Sequence, residues 1–220
     1  IEIAFSPDGM TGWICILSNT PNNLPYTSYH PILYKTTDGG ETWSDAIEVQ
    51  LGGAAGLAAV KQFITDEALT AYFDPEPVPS RDEIPYYMGY YHDLVVDAWG
   101  NPHINGNVMI ADLVEGTIAT GVSYNAPFHV WSPDGGLTWQ AYKLADILQY
   151  KAEFTGGGST VSHYNHNQVS STPDGTVLFF SWIDSDLPDA ADNTRPDIYF
   201  CDFVPYAGPG GTHSTPENVT

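Results

Sequence analysis

The sequence predicts an all-β chain assembled from repeated hairpin units, and three observations predict it. Thr36-Thr37-Asp38-Gly39-Gly40-Glu41-Thr42-Trp43 recurs 96 residues later (134 − 38) as Ser132-Pro133-Asp134-Gly135-Gly136-Leu137-Thr138-Trp139. A second kind of turn recurs around Asp8, Asp97 and Asp174, spaced by 89 and 77 residues. Apolar runs of strand length flank each of these turns. Self-similarity at this scale marks a propeller or solenoid of supersecondary units.

The elements follow in order. Ile1 to Phe5, Ser6-Pro7-Asp8-Gly9 and Trp13 to Leu17 read as strand, turn, strand. His30 to Thr36 and Ser44 to Val49 form the second hairpin, closing a four-stranded blade over residues 1–50. Its Gly-Gly corner has a local logic. The Asp38 carboxylate accepts from nearby backbone N–H groups, glycine takes the positive-φ positions, and Trp43 closes over the hairpin as an apolar lid.

Residues 51–88 differ in character. Val60 to Phe73 has helical spacing, with Thr65 or Asp66 available as N-cap, and Pro75, Pro77 and Pro79 end it before an irregular loop. The blade design returns over 89–145, with His92 to Val96, the Asp97-Ala98-Trp99-Gly100-Asn101 turn, His103-Ile104, and Phe128 to Ser132 with Thr138 to Lys143 around the second corner. It returns again over 163–205, with Gln168 to Ser171, Thr172-Pro173-Asp174-Gly175, Thr176 to Trp182, and the single outer strand Pro196 to Phe203. The tail, 206–220, reads as a linker ending in the bare sequon Asn218-Val219-Thr220. Residues 1–205 are thus two blades and most of a third. A closed ring needs about four or more, so the remaining blades are expected from a longer precursor.

The two corners resemble the Asp-box, the bacterial neuraminidase repeat of sialidase-like β-propellers, with Thr36, Asp38, Gly40, Thr42 and Trp43 in one copy and Ser132, Asp134, Gly136, Thr138 and Trp139 in the other. The resemblance implies a sialidase-like β-propeller segment whose corners are structural and lie on the face away from the active site. It also raises sialidase chemistry, which in that family uses three arginines on the substrate carboxylate, a Tyr nucleophile paired with Glu, and an Asp acid/base. Guanidinium forks suit a carboxylate and Lys replaces them poorly. This chain has only Arg81 and Arg195, so it cannot complete the arginine triad and no catalytic residue is assigned. Val95-Val96-Asp97 through Gly100-Asn101-Pro102-His103, with Phe180-Ser181-Trp182-Ile183-Asp184-Ser185-Asp186 and Asn193 to Tyr199, is similar to secreted propeller proteins of type IX secreting bacteria. That similarity implies a secreted or cell-surface location.

Composition bounds the rest. With 42% hydrophobic and 13% aromatic residues the chain can build a sizeable core. Six basic against 27 acidic residues, a formal charge of −21, repels phosphate backbones and anionic lipid, which disfavours nucleic-acid and membrane-surface partners. No run reaches the roughly 18 apolar residues of a membrane span. Cys15 and Cys201 exclude a disulfide scaffold and leave one bridge or two buried thiols open.

Four further groups carry candidate chemistry. Tyr86, Tyr87, Tyr90 and Tyr91 suit stacking on sugar rings, but alternate strand tyrosines are more often core. His163 and His166 form an H-x-x-H that would point to opposite faces of a strand and so not converge on one metal. His92, His103 and His166 lie near inner strands, where they could line the axis of the ring. Asp184, Asp186, Asp189, Asp192 and Asp197 crowd one loop with only Arg195 to balance them. They are the candidate ligands for Ca2+, against the reading of a solvated acidic loop. The expected function is a non-catalytic extracellular module binding protein or glycan through its loops, its other partners being the remaining blades of the precursor and secretion or surface proteins. The second reading is a sialidase-like glycoside hydrolase whose catalytic residues lie partly outside this chain.

Overall fold

A computed structural model of the chain describes residues 1–19, 28–119, 121–149, 151–156, 159–186, 196–206 and 210–220, the side chains of Tyr90 and of 151–164 excepted. The protein is all-β. β1 (Glu2–Phe5), β2 (Gly12–Asn19), β3 (Tyr29–Thr36) and β4 (Ile47–Glu48) form the first antiparallel sheet in that order. β5 (Tyr86–Val96), β6 (Pro102–Ile110), β7 (Asn125–Trp131) and β8 (Gln140–Lys143) repeat the arrangement, so the second sheet begins a few residues before the expected boundary at 89. β9 (Lys151–Gly156) and β10 (Ser159–Tyr164) make a separate ribbon. β11 (Gln168–Ser171), β12 (Leu178–Asp184) and β13 (Asp197–Val204) form the third sheet.

The third sheet corrects the reading of the tail. β14 (Thr212–His213) and β15 (Glu217–Asn218) both pair with β13, so the stretch taken for a linker supplies the fourth-strand position. The Gly- and Pro-rich lead-in looks like a linker because two-residue strands are too short to show periodicity. The 51–88 insertion is helical as expected but divides into α1 (Ala58–Gln62) and α2 (Asp66–Phe73). Thr65 causes the break. It is extended (φ −70°, ψ 158°), and its hydroxyl accepts from the Ala68 N–H, an N-cap bond that competes with helix continuity.

The second sheet lies between the other two. Every residue of β6 and β7 is buried, which requires cover on both faces. Alternation assigns the faces. Ile104, Val108, Phe128 and Val130 pack with Trp13, Cys15 and Leu33 of the first sheet, whereas Trp131 packs with Leu178, Phe180, Trp182 and Phe203 of the third. The same facing positions hold His103, Asn105, Asn107, Asn125 and His129, all buried, so one seam is apolar and the other carries polar side chains. Cys15 and Cys201 sit in different clusters as free thiols, each pushed up to about 12 by burial.

Both Gly-Gly corners are built alike. Thr36 Oγ1 donates to Asp38 Oδ1 (2.7 Å) and accepts from the Gly40 N–H (3.0 Å), while Asp38 accepts from the Thr42 N–H (3.0 Å) and hydroxyl (2.6 Å). Ser132, Gly136, Asp134 and Thr138 repeat these four bonds at 2.9, 2.7, 2.8 and 2.6 Å. Hydrogen bonds from Thr42 hold the Asp38 carboxyl down at about 2, and those from Thr138 lower Asp134 in the same way. The capping tryptophans are half-buried. Trp43 meets Phe5 edge-on at 6.3 Å, and Trp139 packs on the core between the first and second sheets.

The shorter turns bring the sheets together. The Trp13 indole N–H donates to the Gly100 carbonyl (2.9 Å) and the Ala98 N–H to the Gly175 carbonyl (3.0 Å), while the Asn101 side chain accepts from the Gly135 N–H (2.9 Å). The first strands follow suit, with β5 lying against both β1 and β11.

Gly136 is the most constrained corner residue. Its φ is +100°, and a Cβ there would stand 2.8 Å from the Trp13 ring, whereas Gly9 (φ +72°) has no atom near the corresponding position. Gly136→Ala is therefore expected to destabilise the chain by about 2–4 kcal/mol and Gly9→Ala by about 1 kcal/mol. Urea-melting midpoints of the two variants check the difference, and equal losses would contradict the packing account.

Candidate functional site

The sheets have two distinct ends. Both Gly-Gly corners follow the ends of β3 and β7, and the short turns follow the ends of β1, β5 and β11. A cleft of about 330 Å3 opens between the first and second sheets, with Tyr29 at the start of β3 and Tyr87 and Met88 at the start of β5. Its mouth thus lies toward the end away from the corners. Ile16 and Leu17 line its wall, and the Tyr29 and Tyr87 rings stand 6.2 Å apart at 39°.

His92 reaches this cleft through an irregularity in β5. The register with β6 shifts between Gly89 and His92, and opposite the shift stands Gly106, where a Cβ would meet Met88 Sδ at 2.9 Å. Burial lowers the His92 pKa, so the ring is neutral near pH 7, and its Nε2 has no hydrogen-bond partner among the described residues. The described lining is largely aliphatic, with Ile1, Ile16, Leu17, Met88 and Ile118, and adds two tyrosine rings and one imidazole. That set can stack on a ring and exchange hydrogen bonds with hydroxyl groups.

The other tyrosines separate by role. Tyr86 is core, with its hydroxyl donating to the Lys61 carbonyl (3.2 Å). Tyr91 is exposed and lies against His166, ring centroids 4.6 Å apart. The Tyr90 and His163 side chains lie outside the described residues, so the H-x-x-H pair is seen only at His166, which takes φ +47° just after β10. Arg81 serves the helical insertion, donating to the Lys61 carbonyl (2.8 Å) and to Asp66 (2.5 Å). Arg195 lies outside the described residues.

The acidic loop is described in part. Asp184 is buried, and its carboxylate accepts from the Leu148 N–H (3.0 Å) and the Gln149 N–H (2.8 Å), tying the loop before β9 to the end of β12. Burial raises its pKa. Asp197 accepts from the Asp186 N–H (3.1 Å) and the Thr220 hydroxyl (3.1 Å). Asp189 and Asp192 lie outside the described residues, and among those described no three His, Cys, Asp or Glu side chains converge as metal ligands.

A titratable cluster that the sequence reading missed lies in the polar seam. Asp97 Oδ2 is 3.3 Å from His103 Nε2, His103 Nδ1 is 2.8 Å from His129 Nε2, and His129 Nδ1 is 2.9 Å from His213 Nε2. Tyr142 stacks on His213 at 4.0 Å, and Trp131 stacks on His129 at 4.3 Å. Burial raises the Asp97 carboxyl, but hydrogen bonds from His103 and Asn101 outweigh it and hold the group below its ordinary range. Burial lowers all three histidines, His213 to about 4 and His129 well below the usual value. The available signal was polar residues at alternate positions of apolar strands, His103, Asn105 and Asn107 in β6.

These histidines fix the sign of an acid response. Their folded pKa values are depressed, so the unfolded chain takes up protons at about 6.5 while the folded chain resists. The stability they confer is fully present above the unfolded value and is lost as pH falls toward about 4, the folded value of His213. The melting temperature is expected to be flat from pH 8 to 7 and to drop steeply between about 6.5 and 4, measured by scanning calorimetry. A flat profile over that window would contradict the burial of neutral imidazoles. No family model matches the chain and no curated protein does, so its residues and their geometry carry the functional reading.

Proposed function

We propose that the chain is a segment of a sialidase-like β-propeller of an exported or cell-surface protein, and that it binds glycans without hydrolysing them. The cleft of Tyr29, Tyr87 and His92 is the binding site. The observation that carries this reading is the division of labour between the two ends of the sheets. Two Asp-box corners with the same four hydrogen bonds stand at one end, and an aromatic cleft opens toward the other. The adjacency of β1, β5 and β11 supports a radial arrangement of blades around their first strands.

The cleft's chemistry favours binding over turnover. A retaining or inverting glycosidase brings two carboxylates within about 5–10 Å of each other across the sugar, and the described lining of this cleft contributes phenols and an imidazole instead. Of the two arginines in the sequence, Arg81 is held by Lys61 and Asp66. His92 lies beside rings that suit the apolar face of a pyranose.

A glycan array probed with the chain, followed by titration of the best ligand, tests this. Tyr29 is 48% exposed, so Tyr29→Ala is expected to leave the melting temperature nearly unchanged while weakening binding about tenfold, the value of one lost aromatic stack. Release of product from a fluorogenic sialoside would replace the binding reading with the hydrolase one. An array without signal would overturn glycan recognition.

A further inference from the structure

A second cavity, of about 230 Å3, opens at the corner end, where the turn between β5 and β6 meets the chain leaving β13. Asp97, Asn101 and His103 line its buried side, and Trp131, Pro133 and Tyr206 line the rest. Tyr206 is 56% exposed, yet its position is set. Its ring lies 4.2 Å from that of Trp99, which is itself exposed, and its hydroxyl accepts from the Asn101 amide (3.3 Å). Two adjoining rings fixed in contact with solvent add little to the core, and such surface marks a place of interaction.

The electrostatics of the cavity are one-sided. Burial raises the Asp97 carboxyl, but hydrogen bonds from His103 and Asn101 outweigh it, so the group is ionised at neutral pH. Its partners are the Trp99 N–H, the Asn101 N–H, the Asn101 amide and His103, which burial keeps neutral, so among the described residues no cation balances its charge. The described basic side chains are committed elsewhere, Lys35 to the Gly135 carbonyl, Lys61 to Asp82, Arg81 to Asp66 and Lys143 to Asp146. A negative charge set in a poorly solvated wall beside aromatic rings favours a cation in the cavity.

The same carboxylate decides which cation. Each of its oxygens already accepts from two donors, Oδ1 from the two backbone N–H groups and Oδ2 from the Asn101 amide and His103. It offers charge without a further acceptor site. A primary ammonium brought against it leaves N–H groups unpaired, which costs binding, whereas an ammonium covered by methyl groups has no N–H to pair and packs its C–H surface on rings. We infer that this cavity binds a quaternary ammonium group, the trimethylammonium end of a choline-like ligand, between Trp131, Tyr206 and the charge of Asp97.

The test is calorimetric titration of the whole chain with choline and with 3,3-dimethylbutan-1-ol, the neutral isostere in which carbon replaces nitrogen. Choline is expected to saturate one site and to bind about tenfold or more tightly than the isostere. No saturation by choline, or equal binding of the two, would overturn the inference. Tetramethylammonium is expected to bind more tightly than methylammonium, and the reverse order would contradict the role given to the filled carboxylate. Tyr206→Ala, at an exposed position, is expected to keep the melting temperature and to weaken choline about tenfold, while Tyr206→Phe keeps the ring and the affinity. Unchanged affinity in Tyr206→Ala places choline elsewhere and refutes the site. Sedimentation with phosphatidylcholine vesicles, competed by choline, then separates the sources of the group. Vesicle binding supports a lipid headgroup as the ligand, and choline binding without it supports a soluble one.

Discussion

The structure depends on one buried carboxylate holding one turn. Asp97 is 1% exposed, and an ionised group so placed persists only when hydrogen bonds replace its water. Two backbone N–H groups, the Asn101 amide and His103 supply them. What they fix is the backbone of residues 97–101, and that backbone is the common partner of the first and third sheets. Gly100 (φ +81°) lies so near Thr11 that a Cβ would be 2.9 Å from it, and a Cβ on Gly175 would stand 2.6 Å from Ala98 N. Close approach of bare backbone lets three turns share one small space, and the carboxylate keeps the middle turn in the shape the other two fit.

The two seams flanking the second sheet differ in kind. Between the first and second sheets the contacts are Trp13, Cys15 and Leu33 against Ile104, Val108 and Phe128, where stability follows the buried area and tolerates small shifts of register. Between the second and third sheets Asn105 donates to the carbonyls of Gln168 (2.7 Å) and Ser181 (3.2 Å), and Asn107 donates to Asn165 (2.6 Å). A buried amide that misses its partner costs about 1–3 kcal/mol, so the amide bonds formed here favour this register over others. The polar seam thus specifies how the third sheet sits, and the apolar seam supplies much of the cohesion.

What was legible in the sequence was local. The side-chain bonds within the Asp38 corner link residues two or four apart, and those of Asp134 two, three or four, so residue types at fixed spacing were enough to read them. The helical insertion was legible for the same reason, because Thr65 and the prolines act within a turn of themselves. The line from Asp97 to His213 spans 116 residues (213 − 97) and four elements, and no periodicity announces it. His103 and His129 become neighbours only once β6 and β7 pair with Asn105 opposite His129. The tail was misread because its pairing with β13 involves two residues at a time. The cleft was legible only as a cluster of tyrosines. Packing then divided two of them, both buried: Tyr86 joined the core between the first and second sheets, and Tyr87 lines the cleft beside Met109 and Ala111.

This sorting explains why the two ends of the sheets suit different tasks. At the corner end the backbone is committed, with glycines at 39, 40, 135 and 136 in positive φ, where a side chain is strained, and at 136 a Cβ would also meet the Trp13 ring. Few substitutions there leave the turns intact. At the other end the chain carries the helical insertion and the longer connections between sheets, which change without altering the register of the strands beneath. A cleft walled by Tyr29 and Tyr87 rests on strands whose opposite ends are pinned, so its rings are positioned by a rigid frame while its rim is free to vary. That combination suits the recognition surface proposed above, at the end the repeats leave unconstrained.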